Sequence, residues 1–179
     1  MKFKKIITVS GRISSGKSYA ANLINQHYGF PIASFGGYLK YYCEINNLPT
    51  DRKTLQDIGR DFMKENSEAF LSVVLAHFSG DSDIVILEGI RHKTILEDVR
   101  KLTQEIFTIF VDTDVQIRYE RYCKRNKDAD IDKSYEAFII ADNHPVELEI
   151  NDLKSICNLV VDGNENYEEI LFQSVDIFS

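Results

Sequence analysis

The feature that most constrains this chain is a set of short apolar runs that do not alternate with polar residues. KIITV (Lys5–Val9), DIVILE (Asp83–Glu88), EIFTIFV (Glu105–Val111) and CNLVV (Cys157–Val161) are nearly continuous and rich in β-branched residues. PIAS (Pro31–Ser34) is a weaker fifth. A strand with one wet face alternates; unbroken runs belong to strands covered on both faces, as in a parallel sheet. Helical patterns separate the runs. They cover Lys17–His27, two or three segments between Gly37 and Phe78, His92–Leu102, Val115–Arg125 with Asp114 as N-cap, and Asn166–Ile177. This alternation predicts a three-layer α/β fold with five parallel strands and right-handed crossovers. The 179 residues, 44% of them hydrophobic, suit one packed domain over 1–179.

The first run leads into Gly11-Arg-Ile-Ser-Ser-Gly16-Lys17-Ser18, a full match to G-x-x-x-x-G-K-[ST] between a strand and a helix. Glycines let the backbone curl so that successive N–H groups face phosphate oxygens. The helix start adds the positive end of its dipole. Lys17 then reaches the β- and γ-phosphates of a nucleotide, and the Ser18 hydroxyl ligates Mg²⁺. The motif predicts a triphosphate cradle but no reaction.

Two further constellations narrow the chemistry. The run Asp83–Glu88 ends in a carboxylate followed by Gly89, Ile90 and Arg91. Ligands in this fold bind beyond the carboxyl ends of strands. Glu88 there can hold the Mg²⁺ shell or accept a proton, and Arg91 offers a planar fork for an acceptor phosphate. The guanine-reading N-K-x-D tetrapeptide of GTPase-type sites is absent. In DVQIRYERYCKRNKDADIDKS, Arg118, Arg121 and Arg125 stand three and four residues apart, on one helical face. Such stacked cations are relieved by a bound anion or by Glu120, Asp128 and Asp130 as counter-ions. A helix, a polar loop and a second helix over about 118–145 read as a lid over phosphates.

Composition limits the partners. A net charge of −7 argues against nucleic-acid binding. No run approaches the roughly 18 apolar residues of a membrane span, and the basic-then-apolar start is too short for a signal peptide. Three scattered cysteines point to a reducing compartment, so the expectation is a soluble cytoplasmic protein, monomer or homodimer. The four histidines show no metal-ligand spacing.

The P-loop, LEGIR, RYERYCKR and NLVVDGNENYEEI resemble small nucleotide kinases. SFGGYLK (Ser34–Lys40) and TDRKTLQDIGRDF (Thr50–Phe62) are similar to segments of phage-type deoxynucleoside monophosphate kinases and their dephospho-coenzyme A kinase cousins. The resemblance implies strand order 2-3-1-4-5, ATP and Mg²⁺ as cofactors, and a small-molecule phosphoryl acceptor. Gly11, Ser14, Ser15, Gly16, Lys17, Ser18 and Tyr19 would bind ATP, with Asp162, Gly163 and Asn164 beside its base. Ser34, Phe35, Lys40, Arg60 and Arg91 would line the acceptor site, within a helical insert over about 36–80. Lys17, Glu88 and the lid residues Arg121 and Arg125 would be catalytic, with Ser18 and Glu88 on the metal. Gly36-Gly37 departs from the alanine-aspartate pair frequent in the phage-type enzymes, and Glu88 from their usual aspartate. Two alternatives stay open: a kinase of dephospho-coenzyme A or another small metabolite, and a regulatory nucleotide-binding protein with little transfer activity.

Overall fold

The computed structural model describes residues 3–78, 82–125, 129–130 and 132–178. Its centre is a parallel five-stranded sheet of β1 (Lys5–Ser10), β2 (Ile32–Ser34), β3 (Ile84–Ile90), β4 (Glu105–Asp112) and β5 (Leu159–Asp162). The order is β2-β3-β1-β4-β5, as the resemblance implies.

Neighbouring side chains on each strand feed two different cores. Ile6, Val85, Leu87 and Phe110 face one layer, built by α2 (Phe35–Ile45), α3 (Arg52–Phe78) and α4 (Lys93–Leu102). Ile7, Val9, Ile86, Ile109 and Val111 face the other, against α1 (Lys17–Tyr28) and α9 (Glu168–Phe178). The unbroken apolar runs of the three central strands are the sequence record of that double burial. A third, smaller cluster joins Ile13 to Tyr122, Phe138 and Ala141, so it links the loop after β1 to α5 (Val115–Lys124) and α6 (Tyr135–Asp142). The short helices α7 (Pro145–Leu148) and α8 (Ile150–Lys154) follow.

Several boundaries differ from the sequence expectation. β5 begins at Leu159 and is an edge strand with Val160 42% exposed, so it is not covered on both faces. The preceding Asn158 instead bonds laterally to β4, accepting from the Thr108 amide at 2.8 Å. β3 runs past Glu88 to Ile90, because a register shift against Val9 and Ser10 places Gly89, at φ 90°, as an extra residue. α3 breaks at Asn66, whose side chain accepts from the Ala69 amide at 2.9 Å and restarts the helix. Asp114 does stand at the N-cap of α5, but its side chain makes no capping bond. Its amide donates instead to the Asn164 side chain at 3.0 Å. No helix among the described residues is long and apolar enough to cross a membrane.

Candidate functional site

The loop between β1 and α1 is held in shape from outside. Thr113 and Arg121 both donate to the Ser15 carbonyl, at 2.7 and 3.0 Å. Arg118 donates to the Ile13 carbonyl at 3.2 Å. In a trans peptide the N–H points opposite its carbonyl. The amides of Ser14 and Gly16 are therefore turned to the concave side. The first turn of α1 adds amides that have no intrahelical acceptor. Gly11 is required here: at φ 150°, a Cβ would come within 2.4 Å of Ser15 Oγ and 2.7 Å of the Val111 carbonyl. Ser14 takes φ 60°, and the buried hydroxyls of Ser14 and Ser15 have no hydrogen-bond partner. A strained loop with inward amides and orphaned buried hydroxyls fits a polyphosphate, which supplies the missing acceptors.

Lys17 donates to the Arg12 carbonyl at 3.2 Å. Arg12 is in turn tied to Asp142, by Nε to the carboxylate at 3.2 Å and by Nη2 to the carbonyl at 2.6 Å. Arg118 forms a bidentate pair with the same carboxylate at 2.6 and 3.0 Å, and both partners are buried. Arg118 of the arginine face read from α5 thus has its anion inside the protein, and that anion is neither a ligand nor one of the expected counter-ions. Asp130 is a counter-ion as expected, to Arg125; Glu120 meets Gln116, and Asp128 lies outside the described residues.

Glu88 is 7% exposed and accepts from two hydroxyls, Ser18 Oγ at 3.0 Å and Ser34 Oγ at 2.6 Å. Ser34 also caps α2 by accepting from the Gly37 amide at 3.2 Å. One carboxylate therefore joins the end of the cradle to the start of the helical insert. The hydroxyl–carboxylate pair beside the cradle suits Mg²⁺, a hard ion that keeps waters and phosphate oxygens in its shell. Among the described residues no three His, Cys, Asp or Glu side chains form a metal cluster, and that mode of binding needs none.

Lys17, Ser18, Ser34, Lys40, Glu88, Arg91 and Arg125, expected at the donor, acceptor and catalytic positions, line one cleft of about 450 Å³. Arg91 pairs with Glu147 at 3.0 Å, and Glu147 is fully buried. Arg52 also lines this cleft and is absent from the sequence reading. Asp51 accepts from the Thr54 amide at 3.1 Å, so a helix start at Arg52 is legible in TDRKT. The direction of the arginine is not, because it depends on Asp130, 78 residues away.

Other expected residues lie elsewhere. Phe35 is 6% exposed, packs edge-on against Phe70 at 5.0 Å, and lines a small apolar cavity behind Arg91 instead of the cleft. Arg60 turns to Asp57 and Asp61 on its own helix and does not line the cleft. Arg121 sits on the far side of the cradle, donating to the carbonyls of Ser15 and Gly163. Gly163 lies against Thr113 so closely that a Cβ would be 2.0 Å from its hydroxyl oxygen. Asp162 orders this turn by accepting from the Asn164 amide at 2.8 Å. Tyr19 is half exposed beside it and donates to Glu168. Tyr167 packs edge-on to Tyr19 and donates to the Gly16 carbonyl at 3.4 Å, and burial pushes its hydroxyl up to about 12. Arg121 and Arg125 therefore serve opposite sides of the loop. Arg125 is the C-cap of α5, with extended backbone (φ −71°, ψ 142°), and so leaves the helical face that carries Arg121.

No protein-family model matches the chain. A UPF0200 protein of Methanococcus vannielii is 26% identical over 93% of this chain and 91% of its own length. A UPF0200 protein of Thermoplasma volcanium is 22% identical over 91% and 90%. Among solved structures, the shikimate kinase of Bacteroides thetaiotaomicron superposes with a TM-score of 0.61 at 12% identity, over 97% of each chain. A sugar kinase from Janibacter superposes with a TM-score of 0.58 at 14% identity, over 97% and 93%. The shikimate kinase of Acinetobacter baumannii in complex with shikimate gives 0.59 at 10% identity, over 97% and 92%. The chain has the P-loop kinase fold.

Proposed function

We propose that this protein catalyses ATP- and Mg²⁺-dependent phosphoryl transfer to a small anionic acceptor, a (deoxy)nucleoside monophosphate. The observation that carries this reading is the single cleft that holds the cradle residues Lys17 and Ser18 together with Glu88, Arg91 and Arg125. Phosphoryl transfer asks for positioning and charge neutralisation more than covalent chemistry, and this cleft offers both.

In this reading the amides of Gly11–Ser18 hold the donor phosphates, and Lys17 moves from the Arg12 carbonyl to the transferred group. The turn from Asp162 to Asn164, with Tyr19, borders the donor base. Ser18 and Glu88 would hold Mg²⁺, which would supply positive charge to neutralise the phosphate oxygens. Arg125 belongs to residues 118–145, acting as a lid over the phosphates, and Arg91 holds the acceptor phosphate. Arg121 acts through the cradle, by fixing the Ser15 carbonyl. The acceptor chemistry decides the role of Glu88. A monophosphate attacks through an oxygen already anionic near neutral pH and needs no base, which leaves Glu88 to the metal shell. A hydroxyl acceptor would need a base, and the Ser34–Glu88 contact on the acceptor side favours that second reading, a small-metabolite kinase. Shikimate, the ligand of one structural neighbour, is a hydroxyl acceptor of this kind.

The test is an ADP-release assay with ATP and Mg²⁺ across ribo- and deoxynucleoside monophosphates, dephospho-coenzyme A and shikimate. Acceptor-dependent release with one or two monophosphates is the expected result. Release with a hydroxyl acceptor alone moves the protein to the second reading. Slow release that no acceptor accelerates contradicts both.

A further inference from the structure

The acceptor side of the cleft contains a buried carboxylate that the transfer chemistry does not use. Asp130 has no exposed side-chain surface, yet it lies between two cleft-lining arginines. Arg52 donates to its Oδ1 through Nε at 3.2 Å and Nη2 at 2.9 Å. Arg125 donates to its Oδ2 through Nε at 2.6 Å. Burial alone would push the Asp130 carboxyl up, but the charge of Arg52 and the bond from Arg125 outweigh it and hold it below the usual carboxylate value. The site is braced on several sides. The Arg52 amide donates to the Ala129 carbonyl at 2.9 Å, the Arg125 guanidinium lies 4.9 Å from the centre of the Tyr122 ring, and Lys133 donates to the Arg125 carbonyl at 2.8 Å.

The way the arginines are gripped matters. Asp130 accepts from Nε and Nη2 of Arg52 but only from Nε of Arg125. Arg125 Nη2 is buried with no partner, and so is Nε of Arg91, the third arginine of the same cleft. A buried guanidinium nitrogen without an acceptor is costly, and a bound anion removes the cost. Two arginines on one carboxylate leave one net positive charge. Glu147 pairs with Arg91 and Glu44 lies 3.9 Å from Lys40, so the two arginines on Asp130 keep this one net positive charge for an anion.

We infer that Asp130 is a positioning residue that sets Arg52 and Arg125 as a paired clamp for a phosphate-type anion on the acceptor. The inference rests on the kinase reading and makes Arg52, in place of Arg60, the clamp residue contributed by the helical insert. Arg52 and Asp130 act as one unit, so their substitutions should not add.

The test is steady-state kinetics of R52A, D130N and the double variant with the monophosphate most active in the acceptor panel. Each single variant should raise the acceptor KM by tenfold or more, on the order of one lost charge-assisted contact, with the ATP KM within about twofold. The double variant should match the worse single one. An unchanged acceptor KM, an equal rise in both KM values, or additive effects would overturn the inference. D130E, which restores the carboxylate, covers the case in which D130N fails to fold; its acceptor KM should fall back toward wild type relative to R52A. A second readout separates this inference from the kinase reading. With the P-loop loaded with ADP, inorganic phosphate should raise the melting temperature of the wild type above an equal ionic strength of chloride, and R52A and D130N should lose that increment. The increment in a protein that transfers nothing would leave the clamp standing and remove the kinase. Equal increments in all variants would remove the clamp and leave any transfer activity in place.

Discussion

The two sides of the cleft are built in opposite ways. The donor side is a local object: eight consecutive residues, Gly11–Ser18, form a strand-to-helix turn whose shape follows from positive φ at Gly11, Ser14 and Gly16. The acceptor side is assembled from distant elements. Ser34 meets Glu88 across 54 residues and Arg52 meets Asp130 across 78, while Arg91 pairs with Glu147. A local site can be specified by a motif. A distributed one is specified by buried ion pairs, each of which matters only once the fold has brought its partners together. Even the donor side depends on distant support, since Arg118, Arg121 and Thr113 hold its carbonyls outward.

The comparison can be broken first at the donor side. Lys17→Ala removes the cation that follows the transferred charge, and turnover should fall by about a hundredfold or more. Turnover near the wild-type value in the ADP-release assay would leave the cradle without its proposed role. Next is the support. Asp142→Ala leaves the buried Arg118 unpaired, and breaking a buried pair in this way costs on the order of 3–5 kcal/mol. Chemical denaturation should show that loss together with weaker nucleotide binding; a variant of wild-type stability would mean that the pair does not hold the loop.

The acceptor side should respond differently. Arg91→Ala should raise the acceptor KM by about tenfold with turnover little changed, if its contact is the same in ground and transition states. A lowered turnover at constant KM would make Arg91 a transition-state group. Asp130 also gives a pH signature. Its carboxyl is held below the usual value in the folded protein, so its contribution to stability is present above the unfolded value near 3.8 and is lost as pH falls through the lower folded value. Between neutral pH and this acid range, the wild type should lose more stability than D130N; parallel acid denaturation curves would contradict the pairing. The smallest effect should come from Arg60→Ala. Arg60 pairs with Asp57 and Asp61 away from the cleft, so both KM values should stay within about twofold.

Much of this was legible in the sequence, for reasons that particular residues show. The central strands announced themselves because Ile6 and Ile7, or Ile86 and Leu87, are buried on opposite faces of the sheet. β5 was overextended because an apolar run does not reveal that it lies at an edge. The P-loop was legible because its function is its local backbone. The arginine helix was half legible: the spacing of Arg118, Arg121 and Arg125 gave a common face and Asp130 as a counter-ion, but not the partners of Arg118 and Arg121. Arg118 is consumed by Asp142, Arg121 by two loop carbonyls, and Arg125 leaves the face where the helix ends. Phe35 and Arg60 were expected at the acceptor because their motifs lie beside it. Burial against Phe70 removes the first from the cleft, and Asp57, one turn back, together with the adjacent Asp61 draws off the second. Asp130 is legible as a counter-ion to Arg125, five residues away, but Arg52 and Glu147 carry no local signal, since a lone charged residue acquires meaning only from the partner folding brings to it.

The measurement that tests the central claim most directly follows the γ-phosphate itself. ATP labelled at that position is incubated with the protein, Mg²⁺ and the nucleoside monophosphates, and the products are separated. The account predicts that the label moves to a nucleoside diphosphate with the wild type and stays on ATP with Lys17→Ala. Label that appears only as inorganic phosphate, at a rate no acceptor changes, would contradict transfer across this cleft.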